Sequence, residues 1–392
     1  MNYDSGYKNA IETILGFMHS EKHTHYSVEN VSILEPLYLS IVEGISFSKR
    51  QFETDRVKMI INKGRRIRLP SKSRYMCNNI YDHIIKHVKY QVEYKTTIGS
   101  RNLIVRFSLF DNKLELSELE YYFQMILSWI YTISHYSESS CGKTQIIDLY
   151  FTDFKKVFPK SSVNILGHSN CNSGYSSVCA ETNEIVIYRT EEWFKVLIHE
   201  TFHSFGLEPN YNCERQLTKY IGTLLPIQPS VRVNEAYVET WARIINVIYS
   251  AVINSDSKHE FYNILRFSLQ LEVLFSIYQA VKVLDFMNLD YESVIDKTSV
   301  QARIMYKENT HVFAYYILTA SIMNNIFGFI RWCTKHNTKW LQFYKSNRTC
   351  KSFERLIKDS LYSIEMKNAC KKFKNQDWQN EGLRFSIVDS VN

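Results

Sequence analysis

The run NEIVIYRTEEWFKVLIHETFHSFG, residues 183–206, decides how this chain is read. Its opening, Asn183 to Tyr188, is rich in β-branched and aromatic side chains and predicts a strand. Thr190 offers an N-cap, Glu191 and Glu192 put negative charge in the first turn, and the helix continues through Phe205 to a stop at Gly206. Within it His199 and His203 are four apart and project from one face, where two imidazole nitrogens can meet a single ion. Glu200, one step round, lies beside that ion and can take a proton from a water that the ion polarises. Trp193, Phe194, Val196, Leu197, Ile198, Phe202 and Phe205 frame the motif so densely that the helix must be buried. Two histidines and a glutamate there need partners, which a bound Zn2+ would supply. The bland alternative is a pair of satisfied polar groups on a core helix.

A catalytic zinc takes three protein ligands and keeps a fourth position open. The metzincin arrangement would put a third histidine at position 209, which is Pro209, so that subclass is disfavoured despite Gly206. Downstream, Asn234-Glu235-Ala236-Tyr237-Val238-Glu239 opens a long helix. Helical spacing alone lets either glutamate reach the ion; an exposed acidic face is the common alternative, and the ligand reading is preferred to it.

Together, His199-Glu200-x-x-His203 and Asn234-Glu235-Ala236-x-x-Glu239 resemble the gluzincin metallopeptidases, the thermolysin-like group. The resemblance implies a zincin-like fold, zinc held by His199, His203 and Glu235, Glu239 orienting the first histidine, Glu200 as general base, and a polypeptide substrate cleaved by hydrolysis. It covers residues 183–243 only. It departs from the family in the 32-residue step from His203 to Glu235, longer than in thermolysin itself, and in carrying Glu rather than Asp at 239. The family's oxyanion donor is a His or Tyr from the C-terminal half. His311 and Tyr315 share one helical face and fit that role, although packing in the core is the simpler fate for each. His168 is a weaker spare ligand, and Asn172-Ser173-Gly174 is either a border of the cleft or plain surface loop. Other readings keep the zinc but trim chain ends, as a carboxypeptidase or aminopeptidase, or keep the scaffold as a catalytically idle structural or interaction protein.

The expected architecture is α+β. All six prolines lie within the first 229 residues, and beyond them Gly328 and Gly382 are the remaining helix breakers, so helices are expected at about 234–254, 259–285, 309–335 and 353–373. The first half predicts a β-hairpin, Tyr90–Thr97 and Leu103–Phe110 about the Gly99-Ser100-Arg101-Asn102 turn, a helix at 116–136, a strand at 145–151 and a Gly/Ser/Asn-rich loop at 167–177. Residues 1 to 60 give mixed helical signals. Three parts follow: a mixed or helical segment 1–80, a small sheet with the motif helix over 81–207, and an all-α part, 208–392, carrying the third ligand. The strand at 183–188 is expected at the sheet edge, where an extended peptide can add as a further strand.

A balance of 47 basic and 40 acidic residues gives +7, too mild to imply nucleic acid. Two basic clusters, Lys63 with Arg65, Arg66, Arg68, Lys72 and Arg74, and Lys367 with Lys371, Lys372 and Lys374, read as solvated surface. Eight scattered cysteines without a Cys-x-x-Cys pair suggest reduced thiols in the cytoplasm. Asp4, Lys8 and Glu12 interrupt any signal-like start. No uninterrupted apolar span is seen, since Glu272, Gln279, Lys282 and Asp285 break even 271–286. A soluble cytoplasmic protein is expected, virion-associated if viral, the Tyr-, Lys-, Ile- and Asn-rich style being that of AT-rich genomes, large DNA viruses among them.

Overall fold

Within the N-terminal segment, whose residues 1–6 and 21–25 lie outside the described residues, the chain forms helices Lys8–Ser20 (α1), Val28–Ser32 (α2) and Glu35–Glu53 (α3). In the computed structural model the described residues are 7–20, 26–110, 115–161, 165–374, 376 and 382–391. After α3 come strand Lys58–Lys63 (β1), helix Asn78–His87 (α4), and the hairpin Tyr90–Ile98 (β2) and Arg101–Leu109 (β3). The hairpin turns where expected, through Gly99 at φ +59°, a left-handed position that costs a glycine nothing. Helix Leu116–Ser134 (α5), strand Thr144–Tyr150 (β4), the single turn His168–Cys171 (α6), and strands Gly174–Ser176 (β5) and Thr182–Ile187 (β6) complete the sheet half.

The sheet has six strands in the order β1-β2-β3-β4-β6-β5. β1, β2 and β3 pair antiparallel, β3, β4 and β6 parallel, and β5 returns antiparallel on β6 with Tyr175 opposite Val186. Two expectations are corrected here. The loop at 167–177 contains a strand, and that strand, β5, is the sheet edge, whereas β6 lies inside the sheet. A three-residue strand carries too little alternation to show in the sequence. Alternating residues of β3, β4 and β6, such as Val105, Phe107, Ile147, Leu149, Ile185 and Ile187, enter the main core. The opposite face is covered by α4, whose Ile80 and Ile84 pack with Met76 on Tyr150, Val186 and Tyr188.

The motif helix, Trp193–Ser204 (α7), lies against β5 and β6. Its start differs from expectation. Thr190 gives its hydroxyl to the Thr152 carbonyl, and the N-cap is Glu192 at φ +57°. Glu192 is drawn there by an ion pair with buried Lys156 at 2.7 Å. Gly206, at φ +66°, ends the helix as predicted.

Beyond it the chain is helical: Tyr211–Leu224 (α8), Val233–Ile253 (α9), Lys258–Phe286 (α10), Tyr291–Ile295 (α11), Val300–Met305 (α12), a π-helical turn Phe313–Leu318 running into Thr319–Asn324 (α13), then Ile326–His336 (α14), Asn347–Tyr362 (α15) and Ile364–Lys372 (α16). The helix expected at 309–335 begins at Phe313 and bends by 88° at Asn325. Gly328 permits the bend, because a Cβ there would stand 2.2 Å from Asn325 Oδ1. The helix expected at 353–373 starts earlier, at Asn347, and breaks at Ser363, whose hydroxyl caps α16. α10 is long and apolar enough to cross a membrane, and 94% of its most apolar 18-residue stretch is buried within the protein. Its interrupting charges are matched inside: Glu272 faces Arg243, and Lys282 donates to the Gly382 carbonyl.

Residues 383–391 are almost wholly buried. Their backbone is held by Tyr316, Gln279 and Asn246 side chains, bonded to the carbonyls of Leu383, Arg384 and Val388. One continuous hydrophobic cluster runs from Tyr7 to Val391. The thiol expectation is also corrected: Cys141 pairs with Cys179 and Cys213 with Cys350 as disulfides, while Cys77, Cys171, Cys333 and Cys370 are free. Partners 38 and 137 residues apart leave no spacing signature to read.

Candidate metal centre

α7 and α9 pack together, and their contact brings His199, His203 and Glu235 to one point. Nε2 of His199 and Nε2 of His203 are 3.2 Å apart, and Glu235 Oε2 stands 3.3 Å from the first and 3.5 Å from the second. Each Nδ1 is engaged elsewhere, His199 with Glu239 Oε2 and His203 with Glu208 Oε2, both at 2.9 Å. With Nδ1–H donating to a carboxylate, a neutral imidazole presents its Nε2 lone pair. Two nitrogen lone pairs and a buried carboxylate oxygen without a hydrogen-bond partner therefore face one another, an arrangement that is repulsive until a cation sits among them. These three side chains could hold a metal ion.

The field has the same sign. Burial opposes charge on His199, but the nearby carboxylates of Glu235 and Glu239 outweigh it and raise its pKa. For His203 burial is again overcome, by Glu208 and Glu235, and the pKa lies well above the ordinary value. Glu235 is held well below the carboxylate range, burial being outweighed by His203 and His199. A pocket that attracts protons this strongly attracts a metal cation for the same reason.

Glu239 stands behind His199 rather than among the converging atoms. It accepts from Lys195 Nζ through both oxygens, at 2.8 and 2.9 Å, and from Arg243 Nε at 3.2 Å. Glu208 likewise accepts from Asn234 Nδ2 at 2.6 Å. At the start of α9, Glu214 accepts from the backbone N–H of Val233 and Asn234, which satisfies that helix end beside Glu235.

Glu200 points into the cleft, not to the triad, and its Oε2 accepts from Ser176 Oγ on β5 at 2.7 Å. Gly174 makes this approach possible: a Cβ there would lie 2.9 Å from the Val186 carbonyl and 3.1 Å from Val196 Cγ1. A cleft of about 170 Å3 is lined by Glu200, the three converging residues, Asn172, Gly174, Ser176, His311 and Tyr315 among others. Ser173 borders a smaller space behind it. Tyr315 lies 6.0 Å from the His199 ring, centre to centre, and 6.1 Å from that of His311. Burial lowers the pKa of His311 and raises that of Tyr315, so the one is neutral and the other keeps its proton. His168 stacks edge-on with Tyr75 and is not among the converging ligands. A larger cavity, about 440 Å3, lies beyond Lys195 among Glu191, Glu192, Arg384 and Asp389, and it includes none of the three converging side chains.

Lys195, Glu208 and Ser176 were missed from sequence. Lys195 had a signal, since it is one turn before His199 and is the sole lysine or arginine of an apolar helix, where a lysine requires a counter-ion. Glu208 follows the Gly206 turn, and only the path of that turn brings it back. Compared with family models, curated proteins and solved structures, the chain matches none.

Proposed function

We propose that this protein is a zinc-dependent peptidase of gluzincin-like organisation. The observation that carries the reading is the triangle of His199 Nε2, His203 Nε2 and Glu235 Oε2, with edges of 3.2, 3.3 and 3.5 Å. Tetrahedral zinc with bonds of about 2.0–2.1 Å spans ligand pairs about 3.3–3.4 Å apart, and a pair of imidazoles with one carboxylate is a donor set of catalytic zinc. The zincin-like reading of the fold is supported by the sheet lying along the motif helix and by the third ligand arriving from the helical half.

Zinc bound there would polarise the scissile carbonyl and acidify the attacking water. Glu200 receives the water proton and delivers it to the leaving amine nitrogen as the C–N bond breaks. Ser176 holds its carboxylate on the cleft side, clear of the ligand positions. Tyr315 and His311 are the donors available to the developing oxyanion. Extended substrate pairs with the free edge of β5, whose backbone leads past Glu200.

The test is metal content and turnover in parallel. Wild type should carry one zinc per chain, Glu235→Ala should lose it, and Glu200→Gln should keep zinc and fold while peptide hydrolysis drops by about 10³-fold or more. Zinc absent from wild type, or full turnover in Glu200→Gln, would sink the assignment.

A further inference from the structure

Residues 56–74 contain eight Arg and Lys and no Asp or Glu, leaving 39 basic against 40 acidic residues in the rest of the chain. The whole net charge thus sits in one segment. All eight cations are exposed, and among the described residues none has a carboxylate partner, Arg74 being stacked on Tyr75 instead. Cations on an edge strand discourage edge-to-edge pairing, which accounts for Lys58 and Lys63 on β1. It does not account for the cations beyond the strand.

Their path does. The segment leaves β1 and crosses the sheet face away from the main core. Arg68 exchanges backbone hydrogen bonds with the Gln91 side chain on β2, and its carbonyl accepts from Tyr150 Oη on β4. The Tyr75 carbonyl accepts from Tyr188 Oη beside β6, and the Tyr75 ring lies 6.2 Å from that of Tyr175 on β5. The cationic track therefore traverses all six strands and ends at Tyr75, which lines the cleft of Glu200 and His311. Across five strand spacings it covers about 24 Å, the length of about seven extended residues. Arg232 lines the same cleft as Tyr75 and is, among the described residues, the one Lys or Arg there, tethered by Nε to Glu214 at 3.4 Å.

We infer that residues 56–74 are a docking track for an acidic polypeptide, which they deliver to the cleft where Arg232 receives a further carboxylate. This rests on the peptidase reading for what happens next, but not for the binding itself. Nucleic acid fits less well, because the track presents no row of aromatic rings for bases. A bilayer fits less well, because the track runs into a cleft beside the open edge of β5.

Binding is measured by fluorescence anisotropy in the Glu200→Gln background, with an acidic peptide and a neutral one of equal length. The acidic peptide should bind more tightly, lose affinity steeply with salt, and weaken about tenfold or more in Arg65→Glu/Arg66→Glu/Arg68→Glu, while the neutral peptide is unaffected. Equal affinity of the triple variant for the acidic peptide overturns the inference. So does tighter binding of duplex DNA, or of phosphatidylserine vesicles, lost in the same variant. A wild type that binds acidic peptide through the track yet cleaves nothing would remove the peptidase reading and leave the track standing.

Discussion

Buried ions have to be paired, and around His199 and His203 the pairing extends outward from the converging atoms. Glu239 holds His199 and is itself held by Lys195 and Arg243, and Glu208 holds His203 and is held by Asn234. Each acid fixes a tautomer, so that Nε2 is left as the ligand atom. We expect Glu208→Gln to keep the converging residues but to weaken metal binding by about 10- to 100-fold, measured by competition against a chelator; unchanged affinity would reduce Glu208 to a packing role. His199, Glu200 and His203 were legible because helical period alone fixes their directions. Glu235 and Glu239 were legible as a pair, and their separate roles came from the family resemblance and not from helical spacing, which permits either. The acid that meets the other two ligands depends on the rotation of α9 against α7, and no spacing encodes that.

At the scale of elements, the helix bearing Tyr315, with His311 just ahead of it, begins on a partly buried acid. Glu308 accepts from Tyr306 Oη and from the Phe313 N–H, both at 2.7 Å, and burial raises its carboxyl to about 7. The sign follows from linkage. The folded chain keeps a proton that the unfolded chain has released above the usual carboxylate range, so stability from this group is greatest at low pH and declines between about pH 4.5 and 7. Glu308→Gln retains an acceptor but cannot ionise, and should flatten that part of the stability profile; thermal melts of both proteins from pH 5 to 8 test this, and parallel curves would reject it. The π-helical turn at 313–318 lies just beyond, and such turns are frequent at functional sites. The sequence shows continuous apolar periodicity through 309–335 and 353–373. Gly328 marks the first stretch as breakable but not the bend at Asn325, whose side chain is held by Ser360 from a distant helix, and the break at Ser363 rests on a hydroxyl capping the next helix rather than on a proline or glycine.

For the molecule as a whole, two disulfides join parts that are distant in the chain: Cys141–Cys179 closes the loop before β4 onto the β5–β6 turn, and Cys213–Cys350 ties α8 to α15. Replacing Cys213 and Cys350 by serine should lower stability by about 2–4 kcal/mol, since the unfolded chain regains the freedom of a long loop. Denaturant unfolding measures the loss, and no loss, or eight alkylatable thiols in unreduced protein, would reject the pairing. Such bonds persist in oxidising surroundings, which gives the cytoplasmic expectation a direct check in the thiol count of protein isolated from its native source. By itself the sequence determined the α+β class, the hairpin, the helical second half, and the two histidines with Glu200, all of which follow from periods of two and 3.6 residues and from local turn chemistry. The tertiary structure decided the edge strand β5, the choice of Glu235 over Glu239 at the converging point, the burial of residues 383–391 and the run of residues 56–74 across the sheet. Each of these is a meeting of segments far apart in the chain, settled by packing and by the pairing of buried charge, which local pattern does not encode.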